Sequence, residues 1–255
     1  MATNWVTAKV VENRQLTDRH YALTFDAELQ PFKAGQFARL QIEAKSGDGE
    51  LEKFANPYSL INTPDEKYVE VYFNTVPDGK VSNGLADLKA GDTIEIAQPC
   101  VGFFVLSQVP KDVENLWMLS TGTGIGPFLS MLKTDEAWDR FKKVVLVHAV
   151  PHAKELCYSD LIERFQKEYP EQFSFISIVS RETHAGALKG RIPTLIKEGN
   201  LEEKAGLKIH KNDTHVMLCG NSGMLKDSKA LLKDEFDMDR HLNHKPGHVS
   251  AEQYY

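Results

Sequence analysis

The chain has 255 residues, 42% of them hydrophobic and 26% charged, enough for one large domain or two compact ones of about 100–150 residues. Thirty basic against thirty-six acidic side chains leave a net charge of −6, which argues against a broad basic surface for nucleic acid. No apolar run approaches the roughly 20 residues that a membrane-spanning helix needs, and the start lacks a charged segment followed by an apolar one. Cys100, Cys157 and Cys219 are far apart and form no CxxC metal pattern and no disulfide framework. The expectation is a reduced, cytoplasmic protein with no metal site, no membrane insertion and no nucleic-acid partner.

From Trp5 to Gln98 the chain reads as short strands. Thr7–Val11, Tyr21–Phe25, Phe37–Ile42, Tyr68–Phe73 and Thr93–Ala97 are rich in β-branched and aromatic residues, with turn formers between them. One short helix is expected over Ser82–Leu88, capped by Ser82. This spacing predicts a small antiparallel β-barrel over residues 1–108.

The pattern changes after Ser107-Gln108-Val109-Pro110. Asn115–Ser120, Lys143–Ala149, Phe173–Ser180 and Thr214–Cys219 read as buried parallel strands. Helices are expected over Pro127–Lys133, Lys154–Tyr169, Ile192–Glu198 and Ser222–Asp237. The alternation predicts an α/β doubly wound parallel sheet over residues 109–255.

Four strand ends bear on the chemistry. Ser120-Thr121-Gly122-Thr123-Gly124-Ile125-Gly126-Pro127 follows a strand and opens a helix, where bare backbone and free N–H groups suit a phosphate. Pro127 fits the first helical position. The spacing is GxGxGP, distinct from the dinucleotide fingerprint GxGxxG. The next strand ends at His148–His152 with no acidic residue to hold a ribose 2′-hydroxyl. The third ends in Ser180-Arg181-Glu182-Thr183, and Arg191 follows Gly190. Two guanidinium groups there suit a 2′-phosphate, favouring NADP over NAD. The fourth ends in Cys219-Gly220-Asn221-Ser222-Gly223, with Asn221 or Ser222 as the helix cap and nicotinamide as the expected neighbour.

Ordered motifs across both halves resemble the ferredoxin–NADP reductases, specifically the bacterial flavodoxin/ferredoxin–NADP reductase branch. The resemblance rests on Pro57-Tyr58-Ser59, Thr75 through Ser82, Gly102-Phe103-Phe104, the Thr121–Pro127 loop, Val179 through Thr183, Gly190 through Pro193, Cys219-Gly220-Asn221 and the ending Lys245 through Tyr255. It implies an FAD-binding barrel followed by an NADP-binding domain, with hydride and electrons exchanged at their junction. FAD is then expected at Asn56, Pro57, Tyr58, Ser59, Tyr72, Phe73, Asn74, Lys80, Val81, Ser82, Thr123, Tyr254 and Tyr255. NADP is expected at Val150, Pro151, Ser180, Arg181, Arg191, Asn221, Ser222 and Gly223. Ser59 and Cys219 would orient the reacting rings rather than serve as acid or nucleophile.

The chain departs from the family at two positions. Asn56 stands where the family has an Arg that forks onto the FAD pyrophosphate, leaving Lys53, Lys80 or the amides of Val81 and Ser82 to compensate. Pro151 stands where close relatives have an Arg for the 2′-phosphate, with His152 or Lys154 as partial substitutes. The implied activity is hydride exchange between NADP(H) and FAD, and single-electron exchange with ferredoxin or flavodoxin, by a monomer. A flavin reductase or oxygenase reductase component of the same fold is the enzymatic alternative; a nucleotide-sensing module with a decayed flavin site is the non-enzymatic one.

Overall fold

The computed structural model describes residues 3–45, 47, 49–242 and 244–254. The chain divides into two compact units, Met1–Val105 with Leu129–Lys133, and Leu106–Phe128 with Thr134–Tyr255.

The first unit contains β1 (Asn4–Gln15), β2 (His20–Asp26), β3 (Phe37–Lys45), β4 (Leu51–Ser59), β5 (Val69–Asn74), helix α1 (Lys80–Asp87) and β6 (Thr93–Gln98). They form one six-stranded sheet in the order β4-β3-β6-β1-β2-β5, with every pairing antiparallel. The end strands meet just past β4: Leu60 bridges Val71 and the N–H of Ile61 donates to Glu70 O at 2.9 Å. That contact curls the sheet toward a barrel. Its inward face buries Val10, Leu23, Phe25, Leu40, Val71, Leu85 and Ile96.

No strand is expected over Leu51–Ser59, a segment whose Pro57 cannot donate to a ladder. β4 is an edge in the sheet order, and there Pro57 sits opposite Arg39 without cost. Helix α1 begins at Lys80, two residues before the expected start, so Ser82 is not its cap. Gly79, at φ −73° and ψ 100°, is the N-cap, and no side chain caps the helix. Ser82 Oγ instead donates to Gly79 O at 3.5 Å and accepts from Val76 N at 3.4 Å.

The second unit contains β7 (Asn115–Thr121), the first turn of α2 (Gly126–Leu132), α3 (Asp135–Arg140), β8 (Lys143–Val150), α4 (Ser159–Glu168), β9 (Phe173–Val179), α5 (Ile192–Lys197), α6 (Asn200–Ala205), β10 (Thr214–Asn221), α7 (Ser222–Phe236) and β11 (Val249–Tyr254). The sheet is parallel throughout in the order β11-β10-β7-β8-β9. One face carries Trp117, Val145, Ile176 and Val216 beneath Leu195, Leu201 and Leu225 of α5, α6 and α7. Burial on both faces explains the unbroken apolar runs of β7, β8 and β10.

Three boundaries differ from expectation. Tyr158, at φ +63°, breaks the expected long helix into a 3₁₀ turn at Ala153–Glu155 and α4. A 3₁₀ turn over Gly122–Ile125 precedes α2, so Gly126 and not Pro127 opens that helix. The C-terminal tail is a strand, β11, parallel to β10 in the register Val216↔Val249 to Asn221↔Tyr254. Helices α3 and α6 have six residues each, too short for a helical period to show in sequence. Among the described residues, no helix is long and apolar enough to cross a membrane.

Candidate functional site: a phosphate cradle on the sheet edge and an aromatic stripe on the barrel

In the parallel sheet, β8 and β9 lie to one side of β7, and β10 and β11 to the other. The chain therefore reverses its winding between β7 and β10, and ligands of such sheets bind outside the carboxyl ends at that switch point. The residues there are packed backbone to backbone. A Cβ on Gly124 would lie 2.6 Å from Cys219 O, and one on Gly220 would lie 2.2 Å from Thr121 Oγ1. Thr121 Oγ1 accepts the Asn221 N–H at 2.8 Å, and His148 Nε2 lies 3.0 Å from Gly122 O. The glycines thus bring the loop after β7 against the tip of β10, and at Gly122 an added Cβ would meet nothing within 4 Å.

Asn221 caps α7, its Oδ1 accepting from Gly223 N at 2.9 Å and Met224 N at 3.2 Å; Ser222 is not the cap. Asn221, Ser222 and Gly223 are exposed, at the end of β10 where Asn221 pairs with Tyr254. Cys219 is fully buried. Burial, with Glu252 adding to it, pushes its thiol well above the ordinary range, so the group stays neutral and is no nucleophile. Thr123 is also buried in this loop, within the second unit. Tyr255 lies outside the described residues.

Farther along the edge, Val150 O accepts from Ser180 N at 3.0 Å and Ser180 Oγ at 3.3 Å. Pro151 O accepts the Arg181 N–H at 2.9 Å. These bonds extend the β8–β9 ladder past the strands and fix where Arg181 leaves the sheet. Arg191 is the N-cap residue of α5. Both arginines are exposed, and neither guanidinium has a carboxylate partner among the described residues. Guanidinium groups without a carboxylate partner suit a phosphate dianion.

In the barrel, β4 alternates its side chains, so Phe54, Asn56 and Tyr58 share one face while Lys53 and Pro57 take the other. Tyr58 pairs with Ala38 in register and Ser59 with Phe37. Tyr58 is half-buried and meets Phe73 edge-on at 5.8 Å. Burial pushes its hydroxyl up to about 12, partly offset by a hydrogen bond from the Asn56 side chain. Lys80 holds its Nζ 4.1 Å above the Phe54 ring, on the Asn56 face. Lys53, expected as an alternative source of charge, belongs to the opposite face.

Helix α1 starts beside this stripe with Val81 and Ser82 buried and no capping side chain. Its first-turn N–H groups have no intrahelical acceptor, which fits an anionic ligand. Tyr72, Phe73 and Asn74 lie on β5; Phe73 is committed to the barrel core, against Tyr21 as well as Tyr58. The Asn74 amide donates to Thr75 O at 3.3 Å. Thr121 and Glu182 lie within the sequence motifs without an expected role of their own. Thr121 ties β7 to β10, and Glu182 ties β9 to the turn after β8, its Oε1 accepting Ala153 N–H at 2.6 Å. A hydroxyl just before a glycine was the only local signal for the first; nothing local marks the second.

Residues 118–230 match a family described as an oxidoreductase NAD-binding domain. Over 252 residues the chain is 47% identical to a flavodoxin/ferredoxin–NADP reductase of Escherichia coli, covering 99% of both proteins. It is 33% identical over 215 residues to a ferredoxin–NADP reductase of Pseudomonas aeruginosa, covering 81% of this chain and 80% of that one. A ferredoxin NADP⁺ reductase from Neisseria gonorrhoeae, crystallised with FAD and NADP bound, superposes with a TM-score of 0.90 at 30% identity, over 98% of this chain and 99% of that one. The chain belongs to the flavodoxin/ferredoxin–NADP reductase family.

Proposed function

We propose that this chain exchanges hydride with NADP(H) through bound FAD and passes single electrons to ferredoxin or flavodoxin. The observation that carries the reading is the close glycine-to-backbone packing between β7 and β10 at the switch point of the parallel sheet, supported by Arg181 after β9 and Arg191 at the start of α5, both exposed. Family membership supplies the redox class. The barrel, residues 1–108, is read as the FAD domain and residues 109–255 as the NADP domain.

When bound, FAD would supply the conversion between two-electron and one-electron chemistry. The chain's own residues bind, orient and exclude water. The uncapped amides of α1 and the Lys80 ammonium would hold the pyrophosphate, Lys80 replacing the charge that Asn56 lacks. Tyr58 offers a ring face and stays protonated, and Ser59 offers a buried hydroxyl. Arg181 and Arg191 would fork onto the 2′-phosphate. Asn221 would present its Nδ2 to a carboxamide, since its Oδ1 is spent on the α7 cap. Buried, neutral Cys219 shapes the floor of that site and transfers no proton.

The test is anaerobic titration of purified protein with NADPH and then NADH. Yellow protein that bleaches with one equivalent of NADPH, needs far more NADH, and reduces ferredoxin or flavodoxin faster than free flavin supports the reading. Protein that retains no FAD after reconstitution, or that prefers free flavin as acceptor, defeats it.

A further inference from the structure

Helix α1 is held at the end opposite its candidate pyrophosphate amides. The side chain of Asn13, on β1, donates from Nδ2 to Leu85 O at 2.9 Å, Ala86 O at 3.2 Å and Leu88 O at 2.8 Å. These carbonyls belong to the last turn and the C-cap of the helix, where oxygens lack the regular intrahelical donor. The last turn carries no basic side chain, so the carboxamide stands where a lysine or arginine would otherwise suit. Only an amide nitrogen can face three carbonyl oxygens, which fixes the orientation of the group. Its Oδ1 is buried and has no hydrogen-bond partner among the described residues. The side chain is committed to the helix end.

The other end of α1 carries its preceding loop with it. Ser82 Oγ accepts the Val76 N–H at 3.4 Å, Asn83 Nδ2 donates to Val76 O at 3.3 Å, and the Gly79 N–H donates to the same oxygen at 3.1 Å. Between the two ends, Gly84 lets the helix lie against β3, where an added Cβ would collide with the Ile42 side chain. The helix has eight residues, about 12 Å of length. A helix this short is marginal without tertiary support, so releasing its C-terminus lets its N-terminus tilt or fray.

We propose that Asn13 is a positioning residue for the flavin pyrophosphate: it holds the C-terminus of α1 so that the first-turn amides stand aligned before FAD binds. The inference rests on the reading of those amides as the pyrophosphate site. Without the clamp, part of the FAD binding energy goes into ordering the helix. A flavin that has no pyrophosphate makes no use of those amides and bears no such cost.

The experiment titrates the whole chain, freed of flavin, with FAD and with riboflavin, which lacks the pyrophosphate, and follows flavin fluorescence. The wild type should bind FAD far more tightly than riboflavin. Asn13→Asp keeps the shape, loses the donors and turns a carboxylate toward the three carbonyls. Its FAD dissociation constant should rise about five- to tenfold, the scale of one lost hydrogen bond, and its riboflavin constant by less than about twofold. Asn13→Ala removes the donors without adding charge; it should show the same selective loss, and it carries the test if the aspartate variant does not fold. A merely structural role would lower the urea midpoint and leave the ratio of the two constants unchanged. FAD and riboflavin weakened by the same factor, or FAD affinity retained in the folded variants, overturns the proposal. Wild type that binds riboflavin as tightly as FAD removes the pyrophosphate reading of α1 and this proposal with it. Wild type that favours FAD, with variants that keep the full preference, removes the proposal alone.

Discussion

Gly124 and Gly220 interlock at the carboxyl ends of β7 and β10, each against backbone that follows or precedes the other. A Cβ on Gly124 would come within 2.8 Å of both Cys219 C and Gly220 Cα, and Gly220 sits at φ +130°, where L side chains are strained. Gly124→Ala and Gly220→Ala should each cost about 1–3 kcal/mol of stability, and each should raise KM for NADPH because the cradle must open. Urea denaturation and steady-state kinetics check both effects. An alanine variant with wild-type stability and KM would show that the loop can retreat freely.

At the proposed pyrophosphate site Asn56 is neutral, and Lys80, its Nζ 4.1 Å above the Phe54 ring, carries the charge. Asn56→Arg adds a charge-assisted bond toward the pyrophosphate, worth about 1.5–3 kcal/mol, so the FAD dissociation constant should fall about tenfold or more. Lys80→Ala should weaken FAD binding by a similar factor. Flavin fluorescence titration measures both.

Tyr58 has a pH signature of its own. Its folded-state pKa is raised to about 12 from 10.0, so the folded state holds its proton more tightly than the unfolded state. The stability this represents is complete below about pH 10 and is lost as pH rises toward 12. FAD-free Tyr58→Phe should lose less stability than FAD-free wild type between pH 10 and 11.5, read as urea midpoints.

His215 works in the opposite sense. Its Nε2 lies 2.8 Å from Ser250 Oγ on β11, and burial, with His241 and His248 nearby, lowers its pKa to about 3. The unfolded chain takes up a proton near the ordinary histidine value of about 6.5, and the folded chain does so only near 3. Stability at this site is present above about 6.5 and falls as pH drops toward 3. His215→Gln should flatten the acid limb of the stability profile between pH 6.5 and 4.

Ser130, on α2, donates its hydroxyl to Asn62 O at 2.8 Å, and both residues are buried. Ser130→Ala leaves that carbonyl without its partner and should cost about 1–3 kcal/mol, seen as a lowered thermal midpoint.

Alternation of β-branched residues in the first half and apolar runs in the second were enough to separate an antiparallel barrel from a parallel sheet, because strand burial on one face or on two leaves opposite patterns. The glycine loop after β7 and the capping Asn221 after β10 were equally plain, since backbone freedom and helix capping are local demands. β4 was not legible, and its Pro57 is tolerated because that strand is an edge. β11 was hidden because a six-residue tail becomes a strand only when β10 offers it an open edge. The contact of Gly124 with Cys219, nearly 100 residues away in sequence, and the bond from the Ala153 N–H to Glu182 are products of strand order. Composition and local pattern determined which elements form and which glycines must stay bare. Only the folded chain decided which strand tips meet, because that depends on pairings between residues distant in sequence.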